Sequence, residues 1–571
     1  MWPFLSSTPS NAQIVSAKRE ERNRALKFGN VVATAGAASP EDQTLYLKAT
    51  ASEIVSRIQK GEWTASRVLE AYIARALVAQ SKTNCLTEVF FERARIQAKN
   101  LDADFASTGK LKGPLHGVPV SIKDQIDIEG LDSSLGLSQW VHKPATENAD
   151  ITDILLKAGA ILYVKTNVPQ TLLAIECSNP VFGRTTNPYD ASFSSGGSSG
   201  GEGALIAMDG APLGIGSDIA GSVRIPAAYC GIYSFKPASG RLSYFGARAP
   251  VPGFDGIKPN IGPMGSGQTD IAPLPFRDIT LPSKLKFGYY TSGSSLYNRD
   301  LFPHLSRKPD NYIKASPACK RAVLETVQAL RKQGHECVEI ALPDGLASGD
   351  GYKTLLSNLG PDQKESALWS TTLGPALPSL LRDAVTWVLE KVWGDKISAD
   401  TIRASKVIPL EDYWALADKR DAFGREFQEQ VWDRYQVDGI ICPVQALPQL
   451  PHGGCDNYSA IAVSTLLYNV LDAPVGCLPV TRVDPAKDQI TSKWKHESGH
   501  GSSVFERGLY YGSSKLYDPE MSEGMPVSIQ LAGKRWEDEK VLAMMQVVDD
   551  ALGKERGFGP GAFDRYTLGS R

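Results

Sequence analysis

The chain has 571 residues and a formal net charge of −2, with 42 % hydrophobic and 22 % charged residues. These ordinary values exclude wholesale disorder, and the near-neutral balance provides no global attraction to nucleic acid or to an anionic membrane. A chain this long can build a core without disulfide or metal support. Its eight cysteines, Cys85, Cys177, Cys230, Cys319, Cys337, Cys442, Cys455 and Cys477, are scattered without a C-x-x-C pair. Neither a metal site nor a disulfide framework is expected, and reduced thiols in a cytoplasmic setting are the simpler reading.

Residues 1–39 read as an N-terminal tail or docking arm, and 40–571 as one domain without a flexible linker. Helical spacing begins near Thr50 (Ile54, Ile58) and continues through Val68, Leu69, Tyr72, Ile73 and Ala76, with Thr64 placed as an N-cap. Val118–Ile122 reads as a short strand, Ile151–Ala158 as a helix stopped at Gly159, and Ile161–Val164 as the next strand. A Ser/Gly-rich run, Ser192–Gly203, leads into a helix at Ala204–Met208. Leu213–Ile215 is a brief strand, and Ser222–Tyr229 a short helix ended by Gly231. A second group follows: strand 285–290, helix 317–333, and strands at 337–341, 439–443, 475–480 and 527–531, with a last helix at 537–552. The polar stretch 484–524 reads as an excursion loop. The apolar run Ala460–Val480 is interrupted by Asn469, Asp472 and Pro474, so it reads as core and not as a membrane span. This alternation predicts an α/β fold with a mixed sheet clad by helices.

Three segments carry side chains suited to chemistry. Lys123 ends the apolar strand GVPVSIKD, where an ammonium group is costly to bury. It either emerges into solvent or pairs with Asp124, or it is kept desolvated as a neutral base. The Gly196–Gly203 run is either a surface linker or a rigid serine-bearing loop. It matches G-x-S-x-G around Ser198 and Ser199, but no apolar strand precedes it, which argues against a nucleophile elbow. Finally, Ile219-Ala-Gly-Ser222 leads into a helix start, where backbone N–H groups can converge on one oxygen. An ordinary tight turn with Ser222 as N-cap is the alternative there.

Together GVPVSIKD, KTNVPQ (165–170), CSNPVFG (177–183), GGSSGGEGA (196–204), GSDIAGSVRIPAAYCG (216–231), FKP (235–237) and the later PVSIQLAG resemble the amidase signature family. The resemblance covers most of the chain, with a signature core at about 115–245. It is nearer to fungal acetamidase-like amidases and the fatty acid amide hydrolase branch than to the amidotransferase A subunit. It implies one large twisted mixed β-sheet covered by α-helices. It also implies hydrolysis of a linear amide through an acyl-enzyme, with Ser222 as nucleophile, Ser198 as bridging serine on a cis peptide bond, and Lys123 as base. The oxyanion would be held by N–H groups of Ile219, Ala220, Gly221 and Ser222, and Leu172 falls where relatives contact substrate. No metal or organic cofactor is implied. The expected partner is a small-molecule amide, with no nucleic acid and no integral membrane segment, and a homodimer is left open. Glu202, Asp218 and Arg224 are expected to pin loops. The Trp/Leu-rich stretch Leu368–Trp393 is expected to pack as core, with an acyl-pocket wall or a lipid-facing cap as the alternatives. One departure stands out. After Met264 the sequence runs through Gly265–Asp270 into Ala272-Pro-Leu-Pro-Phe276, so a helix usual in the family is expected to be missing. An amidotransferase A-type subunit and a non-catalytic homologue are therefore the rival readings.

Overall fold

A computed structural model describes residues 10–35, 40–251, 253, 256–271, 279–292, 313–342, 358–404, 410–496 and 501–563. Its centre is an eleven-stranded mixed sheet: β1 (Leu86–Val89), β2 (Pro119–Lys123), β3 (Ile161–Thr166), β4 (Leu213–Asp218), β5 (Tyr233–Lys236), β6 (Asn260–Gly265), β7 (Lys286–Tyr289), β8 (Glu336–Glu339), β9 (Gly439–Pro443), β10 (Val475–Arg482) and β11 (Pro526–Ala532). The spatial order is β1-β3-β2-β4-β6-β5-β10-β11-β9-β7-β8. Parallel pairing joins β3, β2 and β4 at one side and β9, β7 and β8 at the other, with antiparallel strands between them. β2, β3, β4 and β9 are buried along their whole length, so their amino-terminal halves read as apolar runs while the polar residues at the carboxyl ends of β2, β3 and β4 are buried as well.

Helices cover both faces. The expected helix starts hold where a side chain caps them: the Thr50 and Thr64 hydroxyls accept the N–H groups of Glu53 and Arg67 at 3.2 Å. Residues 11–35 of the N-terminal arm form a 25-residue helix. Its Lys18 lies 2.5 Å from Glu88 and 2.9 Å from Asp132, while Arg19 and Arg22 donate to the carbonyls of Pro180 and Leu86. The expected excursion loop contains two short helices, Ser492–His496 and Ser503–Tyr510. It is fastened by Arg321, 2.7 Å from the fully buried Asp488, and by Trp494 stacked edge-on against Tyr510. After β6 the described chain makes only a single 3-10 turn, Gln268–Ile271; the Pro-rich run Ala272–Phe276 lies outside the described residues. Asp270 anchors that turn, accepting the N–H groups of Ala51 and Gly267. β6 keeps its full register on β4, with Met264 opposite Gly214, so support beneath the signature segment is retained.

Candidate active site

Lys123 and Ser217 sit at the carboxyl ends of the adjacent parallel strands β2 and β4, paired through Ile122 and Ile215. Ligand-binding crevices recur at that end of parallel strands. Lys123 is fully buried, so it neither reaches solvent nor pairs with Asp124. Asp124 instead accepts the Leu135 N–H at 2.7 Å and the Ser134 hydroxyl at 3.1 Å. Among the described residues no carboxylate forms an ion pair with Lys123. Its Nζ lies 2.6 Å from Ser198 Oγ and 2.9 Å from Ser217 Oγ. Burial without a counter-ion pushes the amine down to about 7.

Ser198 follows a cis Gly197–Ser198 peptide bond. A Cβ on Gly197 would come 2.5 Å from the Ala174 carbonyl oxygen, and a Cβ on Gly196, at φ +82°, would come 2.7 Å from Pro226 Cα. Only glycine fits both positions. The Ser199 N–H donates to the Ser222 carbonyl at 3.1 Å, which brings the two serine loops together. Ser222 is 8 % exposed, whereas Lys123 is not exposed at all. Its hydroxyl makes no hydrogen bond among the described residues.

The helix after Ser222 begins at Arg224, two residues later than the sequence predicts, and is closed by Gly231 in the left-handed conformation, as expected. Ser222 is not its cap. The N-cap position is Val223, which has no side-chain cap, and Asp218 instead holds the turn before the helix, accepting the N–H groups of Gly221 at 2.8 Å and Val223 at 3.2 Å. The Gly221 N–H is thereby committed and unavailable to a substrate oxygen. The preceding carbonyl, Ala220, accepts from Thr465 Oγ1 at 2.6 Å. The Ala220–Gly221 peptide is thus held at both ends, while the N–H groups of Ile219, Ala220 and Ser222 have no acceptor among the described residues. Burial raises the Asp218 carboxyl, but the adjoining Arg224 guanidinium outweighs it and holds the group well below the usual range. Arg224, fully buried, also donates to Gln530 Oε1 at 2.9 Å and to the Thr465 carbonyl at 3.0 Å. Glu202 joins β2 and β3 by accepting from Ser121 at 2.5 Å and Thr166 at 2.8 Å, and burial raises its carboxyl to about 7. Asp218 and Arg224 hold the loop after β4, as the sequence suggests, whereas Glu202 ties its helix, Gly200–Ala207, to two strands.

The model of the amidase family matches residues 67–542. The chain belongs to the amidase family. It is 31 % identical over 550 residues to fatty-acid amide hydrolase 1 of Sus scrofa, covering 90 % of this chain and 88 % of that one. It is 30 % identical over 544 residues to an acetamidase of Emericella nidulans, covering 89 % of each. A solved fatty acid amide hydrolase superposes with a TM-score of 0.75 at 26 % identity, covering 96 % of this chain and 92 % of that one. Members of this family are hydrolases acting on carbon–nitrogen bonds.

Two site features of this amidase escape a reading by sequence. Ser217 contacts the lysine only because β2 and β4 are neighbours, and Thr465 lies 245 residues beyond Ala220. A signal for the latter exists: Thr465 and Asn469 stand at i, i+4 on the helix Val463–Val470, and both are buried, so they need buried partners. Leu172 is half-buried at φ +65°, two residues before the Ala174–Ile175 backbone that packs on Gly197. The expectation of core packing for Leu368–Trp393 fails at its large side chains. Leu368 and Leu389 are buried, but Trp369, Leu380, Leu381, Trp387 and Trp393 are exposed, Leu380 by 84 %. The helices Trp369–Ala376 and Ser379–Trp387 are short and peripheral, and they turn these side chains away from the sheet. Among the described residues no helix is long and apolar enough to cross a membrane, and no cluster of His, Cys, Asp or Glu is arranged to hold a metal. All eight cysteines are buried thiols outside any disulfide.

Proposed function

We propose that this chain cleaves a linear carboxamide to a carboxylate and ammonia or an amine, through an acyl-enzyme on Ser222. The observation that carries the reading is the buried Lys123 amine, 2.6 Å from Ser198 and held near neutrality by desolvation. A serine hydroxyl is a weak nucleophile until a base takes its proton during attack. Ser222 Oγ turns toward Ser198, attacks the carbonyl carbon and passes its proton to Ser198, whose own proton moves to Lys123. Such links often tighten only once substrate is bound. The N–H groups of Ile219, Ala220 and Ser222 receive the negative oxygen, each worth roughly 3 kcal/mol in hydrolases of this type. The relay then runs in reverse: Lys123 returns its proton through Ser198 to the departing nitrogen as the C–N bond breaks. Water, activated by the same chain, attacks the Ser222 ester and frees the acid. An uncharged acyl group is the substrate class, as the names of the acetamidase and fatty-acid amide hydrolase relatives suggest.

The test is intact-mass labelling with a fluorophosphonate, peptide mapping of the adduct, and ammonia release from acetamide and longer-chain primary amides without nucleotide. One adduct on Ser222, lost in Lys123→Ala, together with ammonia release is the expected result. Labelling elsewhere overturns the assignment. Ammonia transfer that requires an ATP-using partner supports the amidotransferase reading, and an inert chain supports the non-catalytic one.

A further inference from the structure

We propose that Gln125 is a positioning residue for the amide-cleaving relay: its carboxamide dictates which way the Ser217 hydroxyl points, and so keeps the Lys123 lone pair on Ser198. The inference deepens the reading of Lys123 as base and rests on it. Gln125 and Lys123 are fully buried and Ser217 nearly so. Gln125 Nε2 lies 3.0 Å from the Arg248 carbonyl oxygen and 2.7 Å from the Tyr244 hydroxyl. A carbonyl can only accept, so this contact fixes the orientation of the amide. Gln125 Oε1 is then the atom 2.5 Å from Ser217 Oγ, and it too can only accept. The Ser217 proton therefore points to Gln125, and its oxygen presents lone pairs to Lys123 Nζ at 2.9 Å. The Ser217 carbonyl, at 3.5 Å, is a second acceptor.

A neutral amine has two N–H bonds and one lone pair. With both N–H bonds directed at Ser217, the lone pair faces Ser198, whose O–H can donate into it. Remove the carboxamide and the buried Ser217 proton loses its acceptor; the nearest remaining one is the same lone pair. Ser217 then competes with Ser198 for the base. The titratable groups surrounding Lys123 are engaged elsewhere: Asp218 with Arg224, Glu202 with Ser121 and Thr166, Asp124 with the Leu135 N–H, and Cys177 as a buried thiol.

The experiment is Gln125→Met in otherwise wild-type and Ser217→Ala chains, assayed on p-nitroacetanilide from pH 5 to 10 with thermal melts as a folding control. Gln125→Met should lower kcat by about tenfold, the weight of one misdirected hydrogen bond, with KM little changed. Its acid limb should move to lower pH, because a hydroxyl donating to the amine favours the neutral form. In the Ser217→Ala background the same change should do nothing further. Equal losses in both backgrounds, or an unmoved limb, overturn the inference. Should Gln125→Met not fold, Ser217→Ala must move the limb and Ser217→Thr restore it; a limb unmoved in Ser217→Ala overturns the inference just as well. A wild-type chain inert on amides defeats the amidase reading itself, whereas an active wild type with an indifferent Gln125→Met defeats only this step.

Discussion

Acid should switch the relay off by protonating Lys123, and the structure sets where. Burial brings this amine from 10.5 to about 7. At pH 7 about half of it is then neutral, whereas a solvated lysine would offer less than about one part in a thousand. Desolvation thus raises the supply of base about a thousandfold at neutral pH. On the acid side kcat/KM should fall tenfold per pH unit, to about one hundredth of its plateau near pH 5. The assay is kcat/KM for an uncharged aryl amide from pH 5 to 10, because that ratio reports the free enzyme. Lys123→Ala should lower the plateau by about 10² to 10⁴ and erase the limb. An optimum in acid, a flat profile from pH 5 to 9, or a limb that persists in Lys123→Ala would refute the reasoning. The same shift enters stability with a definite sign. Between about pH 7 and 10.5 the unfolded chain binds the proton and the folded one does not, so this group's contribution to stability rises with pH across that window.

Asp218→Asn leaves the fully buried Arg224 guanidinium without its carboxylate and should cost about 3–5 kcal/mol in urea unfolding; a loss below about 1 kcal/mol would show that Asn469 and Gln530 suffice to satisfy it. Glu202 has its carboxyl raised from 4.5 to about 7, so its contribution to stability falls as pH rises through that interval. Glu202→Gln, whose amide can still meet the two hydroxyls, should flatten the Tm difference between pH 5 and pH 7.5, and an unchanged difference would assign that slope to other groups. Leu380→Ser, at a side chain 84 % exposed, should change unfolding free energy by less than about 0.5 kcal/mol; a cost of several kcal/mol would mean that the side chain packs in a core after all.

Much of the fold is legible because buried parallel strands and capped helices leave local marks. β9 lies where its apolar run places it; β3 and β4 begin at the predicted residues and β2 one residue later, and all three extend further at their carboxyl ends. Those extensions matter. They consist of polar residues, Lys123, Lys165, Ser217 and Asp218, that hydrophobic pattern alone treats as loop. The helix Arg224–Cys230 starts late because an upstream carboxylate, Asp218, holds the N–H groups of Gly221 and Val223 in the turn that precedes it. The Trp/Leu stretch after 368 misleads because composition reports how apolar a segment is and not which way its helices face.

Local sequence therefore determines most of the strands, the glycines that admit Ser198, and the three side chains proposed as the relay. What it leaves open is the protonation state of Lys123 and the direction of every hydrogen bond around it. Those depend on desolvation and on partners brought from elsewhere, the Tyr244 hydroxyl and the Arg248 carbonyl that orient Gln125 standing more than a hundred residues along the chain. Free energies of that kind belong to the closed assembly of the sheet, since no segment alone can exclude water from an amine.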